Sequence, residues 1–336
     1  MPLVSVILPV YNAQGSVGAA LDCLRAQTLA DLDILVADDG STDGSALEVQ
    51  RRVEADPRVR LLRLPHRGVV GTMNAGLAAT DSALVARMDA DDLCAPQRLA
   101  RQVEFLAATG LDLCDSLVTL GATPGLTGQG MHDYVDWLNS LTAPGAMHHA
   151  ILQESPVVQP ATLVTRAALA RIGGYEDGPF PEDYQFWLRL AAAGVRFGKV
   201  PEYLFTWNDP PGRLTRTDAR YGRPGFVELR ARYLFELFPQ AARGLLVWGA
   251  GRDGRALARE LAHQGRAVLG FVDVDPAKVG RRTLGLPVDD YRRLPYLLPP
   301  EGLLLVAVGI PAVRQQIRQH LRDLRLEEGR HFAFAV

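Results

Sequence analysis

The sequence predicts an α/β protein with two domains in tandem, and three observations lead to this fold class. Short apolar runs alternate with amphipathic segments through the first half, which favours a mostly parallel sheet with helices between its strands. The composition shifts to Arg, Gly and Pro from about residue 215 to 225, where we place a boundary. A second alternation begins at Gly244. The 336 residues suffice for about two domains, each with its own core.

The elements of the first domain follow from hydrophobic periodicity and helix start signals. The helix expected after Gly44 has Ser41, Thr42 and Asp43 available to cap it. The last helix of the first series opens with Pro96, as helices often do. We expect strands at 4–8, 32–37, 59–64 and 83–88, and helices at 16–25, 44–54 and 96–108.

The second domain repeats the alternation of strand and helix after a connecting segment. We expect the first domain to span 1–222, a connecting helix and linker to span 223–243, and the second domain to span 244–336. The connecting helix itself is expected at 226–238. Strands are predicted at 245–248, 268–272 and 303–308, and helices at 255–263 and 313–324.

Composition and charge exclude several classes of function. Apolar residues make up 48% and charged residues 22% of the chain, which is typical of folded domains rather than disordered or fibrous ones. The net charge of −2 leaves no basic excess to bind nucleic acid or an anionic membrane. Only Lys199 and Lys278 could serve a Schiff-base mechanism, and a phosphate loop ending in Gly-Lys-Ser/Thr is absent.

Cysteine usage and the N-terminus predict a cytosolic protein, or one in peripheral contact with the inner face of the membrane. Cys23, Cys94 and Cys114 form no CxxC pair, which is typical of a reducing compartment. Pro9 interrupts the first apolar run, so we expect no signal peptide, and no apolar stretch approaches the ~20 residues of a spanning helix. With no activating partner evident, we interpret Cys94 as a packing residue.

Polar or acidic residues follow three of the predicted strands. The carboxyl ends of parallel strands meet at one edge of a sheet, so these residues should converge on one crevice. They are Tyr11 and Asn12 after the first strand, Asp38, Asp39 and Asp43 after the second, and Asp89, Asp91 and Asp92 after the fourth.

Asp89 and Asp91 are candidate metal ligands. A spacing of two places both carboxylates on one face of an extended chain. Paired carboxylates suit Mg²⁺ or Mn²⁺, with a substrate phosphate completing the coordination shell. Such a triplet alone could equally be an acidic turn before a helix. Its position at a strand end, beside a second acidic cluster, favours the metal site.

Glu182 and Asp183 begin a predicted helix about ninety residues further on. The helix dipole favours ionised carboxylates in a first turn, so one of the two acids is explained by dipole compensation alone.

Together these segments resemble the family 2 nucleotide-sugar glycosyltransferases, which have the GT-A fold. The resemblance covers roughly residues 3 to 216, and its specificity comes from the order and spacing of several short segments. These are residues 4–12, 37–43, 74–76, 87–92, 173–175 and 182–183.

The resemblance implies a donor site. Pro9, Tyr11 and Asp39 would bind the nucleotide, with Tyr11 stacking on the base and Asp39 hydrogen-bonding to it. Asp89 would lie at the ribose and diphosphate, and Asp91 would ligate the metal together with Asp89.

The resemblance further implies that Asp183 is the general base for the acceptor hydroxyl in an inverting transfer, with Glu182 the next candidate. The sequence departs from the family pattern at two places. Gln159 stands before a proline where the family often has His, and Asn208 lies in the segment 207–211, where the family often has an Arg and a His. Arg213 and Arg216 are candidates for the missing positive charge.

The adjacent His148 and His149 do not suggest a metal site. They would point apart in extended chain, and no partner at a metal-ligand spacing accompanies them. We interpret them as a loop near the acceptor side.

The second domain carries a dinucleotide-binding fingerprint. Gly249, Gly251 and Gly254 follow a predicted strand and open a helix, and Asp273 ends the next strand. This favours NAD over NADP. The alternative is a Rossmann-like domain used for packing or regulation, because no catalytic acid or base is recognisable between Pro276 and Val336. The region resembles Rossmann-like modules attached to bacterial polysaccharide-biosynthesis enzymes.

The sequence therefore predicts an inverting, metal-dependent glycosyltransferase that moves a sugar from a nucleotide-diphosphate sugar to a glycan, lipid-linked or other acceptor hydroxyl, in polysaccharide or glycoconjugate biosynthesis. One rival is an oxidoreductase that modifies a sugar nucleotide with NAD, which nicotinamide turnover would reveal. The other is a non-catalytic sugar-nucleotide-binding protein, against which the Asp89–Asp91 pair and Asp183 both count.

Overall fold

A computed structural model describes the chain at residues 1–121, 128–210 and 212–336, apart from the side chain of Leu214. The chain divides into two compact units, and neither is continuous in sequence. The first unit contains Met1–Met147, Val157–Gly178 and Gln185–Asp218, and the second contains His148–Pro156, Pro179–Tyr184 and Ala219–Val336. The predicted limits of 1–222, 223–243 and 244–336 stay a prediction.

Secondary structure up to residue 217 alternates between strands and helices. The strands are β1 (Val4–Val10), β2 (Leu32–Asp38), β3 (Val59–Arg63), β4 (Leu84–Arg87), β5 (Leu93–Cys94), β6 (Leu113–Leu120), β7 (Leu163–Thr165) and β8 (Phe197–Trp207). The helices are α1 (Val17–Arg25), α2 (Ser45–Ala55), α3 (Gly68–Ala78), α4 (Arg98–Thr109), α5 (Gln129–Ser140), α6 (Ala146–Ala150), α7 (Arg166–Ala170), α8 (Glu182–Ala192) and α9 (Leu214–Thr217).

The first unit contains an eight-stranded mixed sheet in the order β3-β2-β1-β4-β7-β6-β8-β5. Strands β3, β2, β1 and β4 are mutually parallel, and β7 runs antiparallel to both β4 and β6. The predicted mostly parallel sheet is therefore confirmed for the strands that precede the acidic residues.

The apolar composition of the central strand β1 follows from its burial. Val4, Val6, Ile7 and Leu8 are fully buried, as a strand covered on both faces requires. Its one polar residue, Ser5, is also buried, and its hydroxyl lies 2.7 Å from the Ser82 hydroxyl. The buried polar group is thus hydrogen-bonded, which avoids the cost of desolvating it without a partner.

The register of the parallel strands fixes where the polar residues emerge. Val10 of β1 pairs with Asp38 of β2, and Ile7 pairs with Arg87 of β4. The backbone N–H of Asp39 also donates to the Val10 carbonyl at 2.8 Å. The turns after β2 and β4 therefore flank the carboxyl end of β1 on opposite sides.

Helix α3, which periodicity did not predict, is held in place by two contacts of the segment 74–76 that carries part of the resemblance. A Cβ on Gly76 would lie 2.6 Å from Ile7 Cγ2, so only glycine lets α3 approach β1 this closely. The Asn74 side chain accepts from the Tyr175 N–H and donates to the Tyr175 carbonyl, both at 2.9 Å. The segments 74–76 and 173–175 are thus joined in space.

The C-terminal part of the chain forms a second, smaller sheet. Its strands are β9 (Leu245–Trp248), β10 (Gly270–Asp273), β11 (Arg282–Thr283), β12 (Leu286–Asp290), β13 (Leu303–Val306) and β14 (Phe332–Phe334). Its helices, with the one that precedes the sheet, are α10 (Arg223–Leu237), α11 (Arg252–His263), α12 (Leu294–Leu297) and α13 (Pro311–Asp323).

The second sheet has the order β11-β12-β10-β9-β13-β14. All of its pairs are parallel except β11 with β12. Leaving out the short β11, the first strand lies in the middle and the order reverses beside it, as in doubly wound sheets. The predicted α/β class with a second, smaller sheet domain is confirmed.

Several predicted boundaries shift by a few residues. Helix α10 begins at Arg223 rather than 226, and α4 begins two residues after Pro96. The N-cap residue of α2 is Gly44, and Asp43 just before it accepts from the Ser45 N–H at 2.9 Å. Within the described residues, no helix combines the length and the apolar character that crossing a membrane demands.

We predict that Gly76→Ala lowers the free energy of unfolding by about 1–3 kcal/mol, the usual cost of overpacking a core. Gly18→Ala is the matched control, because its Cβ would meet only the end of the flexible Arg52 side chain, at 2.8 Å. The control should be neutral, or stabilising by up to about 1 kcal/mol. Urea unfolding of both variants measures the difference, and equal effects would contradict the packing argument.

Candidate functional site

Asp89, Asp91 and Asp92 lie in the turn that directly follows β4, which we call the acidic turn (residues 89–92). The Asp89 carboxylate is 3.0 Å from Arg87 Nε. Asn208, just after β8, holds the other side of the turn. Its N–H donates to the Asp92 carboxylate at 2.8 Å, and its side-chain amide donates to the Asp91 carbonyl at 2.6 Å. Asn208 therefore fixes the backbone of the turn.

The acidic turn places several carboxylates close together where they are partly buried. Burial and the neighbouring Asp89 carboxylate raise the pKa of Asp91, although Arg213 and Arg87 oppose the shift. Burial, and then Asp89 and Asp91, raise the pKa of Asp92. The Asp92 carboxylate accepts from the Asn208 N–H, whereas the carboxylates of Asp91 and Asp89 repel each other.

This donor set fits a divalent cation that has few protein ligands. Two hard carboxylate oxygens suit Mg²⁺ or Mn²⁺, and a cation between them would relieve the repulsion that raises the pKa of Asp91. Across the described residues, no three His, Cys, Asp or Glu side chains are grouped to hold a metal. Phosphate oxygens and water would therefore complete the shell.

Arg213 and Arg216, the candidates for additional positive charge, converge on one buried carboxylate. Asp209 accepts from Arg213 Nη1 at 3.1 Å and also pairs with Arg216. Burial would raise the pKa of Asp209, but the two guanidinium groups outweigh it and lower the pKa. Arg213 also lies over the Trp207 ring, 4.6 Å from its centroid. Its charge is near enough to oppose the rise in the pKa of Asp91.

Gln159 and Asn208, at the two places where the sequence departs from the family pattern, both have defined contacts. Gln159 is buried, and its amide nitrogen lies 3.5 Å from the Tyr175 hydroxyl. Asn208 anchors the acidic turn rather than contributing charge to it. Pro211, in the same segment, lies outside the described residues.

Asp39 is buried, and its carboxylate accepts hydrogen bonds from the backbone at the start of α3. Its carboxylate accepts from the N–H groups of Arg67 and Gly68 at 2.7 and 3.0 Å. His66 Nδ1 lies 2.9 Å from the same carboxylate. Negative charge at a helix N-terminus is favourable, so Asp39 has a structural role that the resemblance does not require.

Tyr11 is 49% exposed, and its ring stacks on His66 with centroids 4.3 Å apart. His66 therefore links Tyr11 to Asp39, and the structure brings these two predicted residues together. Pro9 lies two residues earlier in β1, paired with Ala37. Sequence reasoning missed His66, although its place just after the predicted strand 59–64 puts it at the same sheet edge.

Glu182 and Asp183 are the first residues of α8, as predicted, and belong to the second unit. Glu182 is buried, and its two carboxylate oxygens lie 2.8 and 2.6 Å from the Tyr221 hydroxyl. Asp183 is half-buried and accepts from the Tyr184 N–H at 2.7 Å. Glu182 thus has a structural partner that the sequence did not indicate.

The position predicted for His148 and His149 was wrong. They lie in the short helix α6 rather than in a loop. Gly145, with a φ of 76°, directly precedes this helix, so the chain can turn there and begin a helix at residue 146.

The glycine-rich loop of the second unit uses its three glycines differently. Gly249 has a φ of 107°, and a Cβ on Gly254 would lie 1.9 Å from the Gly249 carbonyl oxygen. These two glycines therefore serve the turn and the close packing of helix on strand. A Cβ on Gly251 would meet nothing within 4 Å, so this position is open, as a phosphate approach needs.

Asp273 does not fit the ribose contact expected of it. Its carboxylate accepts from the N–H groups of Ala250 and Asp275 at 2.8 and 3.0 Å and lies 3.2 Å from Lys278 Nζ. Both oxygens thus stabilise the loop and the turn beside it. The glycines suit a phosphate. The Asp273 carboxylate, which would select NAD, already accepts hydrogen bonds from the loop and from the turn beside it. No reaction step is assigned to a dinucleotide at this loop.

Comparison with known proteins supports a transferase domain in the N-terminal half of the chain. Residues 5–163 match the model of Glycosyl transferase family 2. A Haemophilus influenzae protein described as an uncharacterized glycosyltransferase is 28% identical over 218 residues, which cover 60% of this chain and 64% of that protein. The chain thus spans slightly less than two thirds of that relative's length.

Two solved structures share the fold. One is S. aureus TarS residues 1–349 in complex with UDP-GlcNAc, with a TM-score of 0.57, 16% identity, and coverage of 77% of this chain and 71% of that chain. The other is the mannosyltransferase PcManGT from Pyrobaculum calidifontis in complex with GDP-Man and Mn²⁺. Its TM-score is 0.51 and its identity 23%, over 78% of this chain and 69% of that chain.

We predict that Asp89→Asn lowers the pKa of Asp91, because it removes the neighbouring negative charge that helps to raise it. Arg213→Gln should raise that pKa further, because Arg213 stabilises the ionised form. Carboxyl carbon NMR titration of the metal-free full chain measures both shifts. Shifts of the same sign in the two variants would contradict this account of the acidic turn.

Proposed function

We propose that the chain is a family 2 glycosyltransferase, which transfers a sugar from a nucleoside-diphosphate sugar to an acceptor hydroxyl with inversion at the anomeric carbon, assisted by Mg²⁺ or Mn²⁺. The observation that carries the proposal is the acidic turn at the carboxyl end of β4, inside the segment that matches the family. The two solved structures with the same fold hold nucleotide sugars, which supports this donor class.

Asp91 and Asp89 would hold the metal. When bound, the cation would stabilise the negative charge that develops on the leaving nucleoside diphosphate. Arg87 contacts Asp89 at 3.0 Å and orients its carboxylate. Asn208 fixes the backbone at Asp91, so the ligand would be held before the donor binds.

Tyr11, Asp39 and Pro9 would form the nucleotide side of the donor site. The exposed ring of Tyr11 offers a surface on which a base can stack. The Asp39 oxygen that accepts from the Arg67 N–H has a second lone pair, which could accept a hydrogen bond from the base. The cap on α3 would then keep that carboxylate in place.

Asp183 would be the general base. It would take the proton of the acceptor hydroxyl as that oxygen attacks the anomeric carbon and the diphosphate leaves. A single displacement of this kind inverts the configuration and needs no nucleophilic carboxylate. The start of a helix favours the ionised carboxylate that a base requires. Glu182 is the weaker candidate because it is buried against Tyr221.

The acceptor is proposed only as a class, a glycan, lipid-linked or other hydroxyl acceptor of polysaccharide or glycoconjugate assembly. Arg213 and Arg216 would contribute positive charge near the diphosphate, with Asp209 orienting both. The alternative of an oxidoreductase is disfavoured because no catalytic acid or base is recognisable between Pro276 and Val336. The alternative of a non-catalytic sugar-nucleotide-binding protein is tested by the Asp91→Ala and Asp183→Asn variants.

We expect Asp91→Ala to abolish Mn²⁺-dependent binding of a nucleoside diphosphate while the fold survives. Asp33→Ala is the matched control, since it removes a carboxylate that pairs with Arg60 at the opposite end of β2. Calorimetry on the full chain with UDP and GDP, with and without Mn²⁺, measures the loss. Unchanged metal-dependent binding in Asp91→Ala would exclude Asp91 as the ligand.

Asp183→Asn keeps the size of the side chain and removes its basicity. Transfer should fall roughly 10²–10⁴-fold, the usual contribution of a general base, while donor affinity stays near that of the wild type. Glu182→Gln is the comparison and should lower thermal stability more than transfer. If Asp183→Asn transfers sugar at a near-normal rate, the base is another group, and comparable losses in both variants would point to a structural role for this turn of α8.

A further inference from the structure

The structure places two of the three cysteines against each other in the first unit. Cys23 lies in α1 and Cys94 in β5, 71 positions apart in sequence, and their sulfur atoms are 3.3 Å apart. The N–H of Cys94 also points at Cys23 Sγ, at 3.4 Å. No partner of Cys94 was evident from the sequence, because β5 is brought to α1 only by the fold.

The surrounding backbone holds the two thiols in register. Gln27, buried at the end of α1, donates to the Ala95 carbonyl at 2.8 Å and accepts from the Leu99 N–H at 3.0 Å. Thr28 donates its N–H to the Pro96 carbonyl at 2.8 Å. The end of α1 is therefore tied to the segment that carries Cys94, and the two sulfurs lie 3.3 Å apart, compared with about 2 Å in a disulfide.

The polar groups around Cys94 favour a thiolate at that position. Gln27 Nε2 lies 3.4 Å from Cys94 Sγ, and the hydrogen bond from Cys23 lowers the pKa of Cys94 to about 7 against the effect of burial. The positive charge of Arg98 acts in the same direction. Cys23 is only partly buried, so a small oxidant can reach the pair.

We propose that Cys23 and Cys94 are a redox-active thiol pair that a peroxide oxidises to a reversible disulfide. The Cys94 thiolate attacks a peroxide oxygen, the O–O bond breaks, and a sulfenic acid forms with release of water. The Cys23 sulfur then attacks the sulfenic sulfur, the S–S bond forms and a second water leaves. Two thiols lose two electrons and two protons, and hydrogen peroxide is reduced to two waters.

The site is distinct from the acidic turn but adjacent to it in the chain. Cys94 follows Asp92 by two residues, and β5 pairs with β8 at Phe205 and Thr206, just before Asn208. The disulfide would therefore join α1 to the strand that leaves the acidic turn.

The test uses the full chain, treated with hydrogen peroxide, then unfolded, alkylated and weighed by mass spectrometry with peptide mapping. We expect the wild type to keep one alkylatable thiol of its three, to yield a linked peptide pair containing Cys23 and Cys94, and to recover all three thiols with dithiothreitol. Cys114→Ser is the matched control, because Cys114 is buried and its sulfur faces the Gln102 carbonyl. It should form the same linked pair.

Cys23→Ser and Cys94→Ser should each yield no linked pair and keep both remaining thiols alkylatable or carry added oxygen. The wild-type peptide map decides the question even if a serine variant folds poorly. Three alkylatable thiols after peroxide, a linked pair that includes Cys114, or oxygen addition without any linked pair in the wild type would each overturn the proposal. These readouts do not involve sugar transfer, so they stand or fall separately from the proposed function.

Discussion

Repulsion among carboxylates at the carboxyl end of β4 is the constraint around which the rest of the first unit's site is arranged. Asp89, Asp91 and Asp92 lie within four residues, and burial raises the pKa of both Asp91 and Asp92. Arg87 and Arg213 offset part of that rise, and Asn208 takes up one carboxylate with its backbone N–H. What remains is a negative pair at the sheet edge where a cation and a phosphate would be favourable.

The supporting residues show how such a pair is kept in place. Asp209 is itself buried, yet two guanidinium groups lower its pKa, so it can serve as a fixed anchor for Arg213 and Arg216. On the opposite side of the sheet edge, the buried Asp39 carboxylate accepts from the N–H groups of Arg67 and Gly68 at the start of α3. Both sides thus use buried carboxylates to place other groups, and the hydrogen bonds that these carboxylates accept offset the cost of burying them.

The second unit shows how a motif can be present while one of its expected contacts is not. Gly249 and Gly254 have the steric roles that a glycine-rich loop requires, and Gly251 leaves space above the loop. Asp273 turns back onto the Ala250 N–H instead of remaining open to a ribose. The glycine positions therefore match the backbone geometry of this loop, whereas the preference for NAD stays a prediction, because Asp273 also interacts with neighbours such as Lys278.

The sequence by itself determined the α/β class, the strands around Val4–Val10 and the polar residues at their carboxyl ends, because apolar runs and polar strand ends are local patterns. It also determined the glycosyltransferase resemblance, and with it the Asp89–Asp91 pair. Only the tertiary structure decided that Asn208 holds the acidic turn, that His66 joins Tyr11 to Asp39, and that Cys94 meets Cys23. Those partners lie from 27 to 117 positions apart in sequence, and no local periodicity encodes a contact that the packing of distant strands and helices creates.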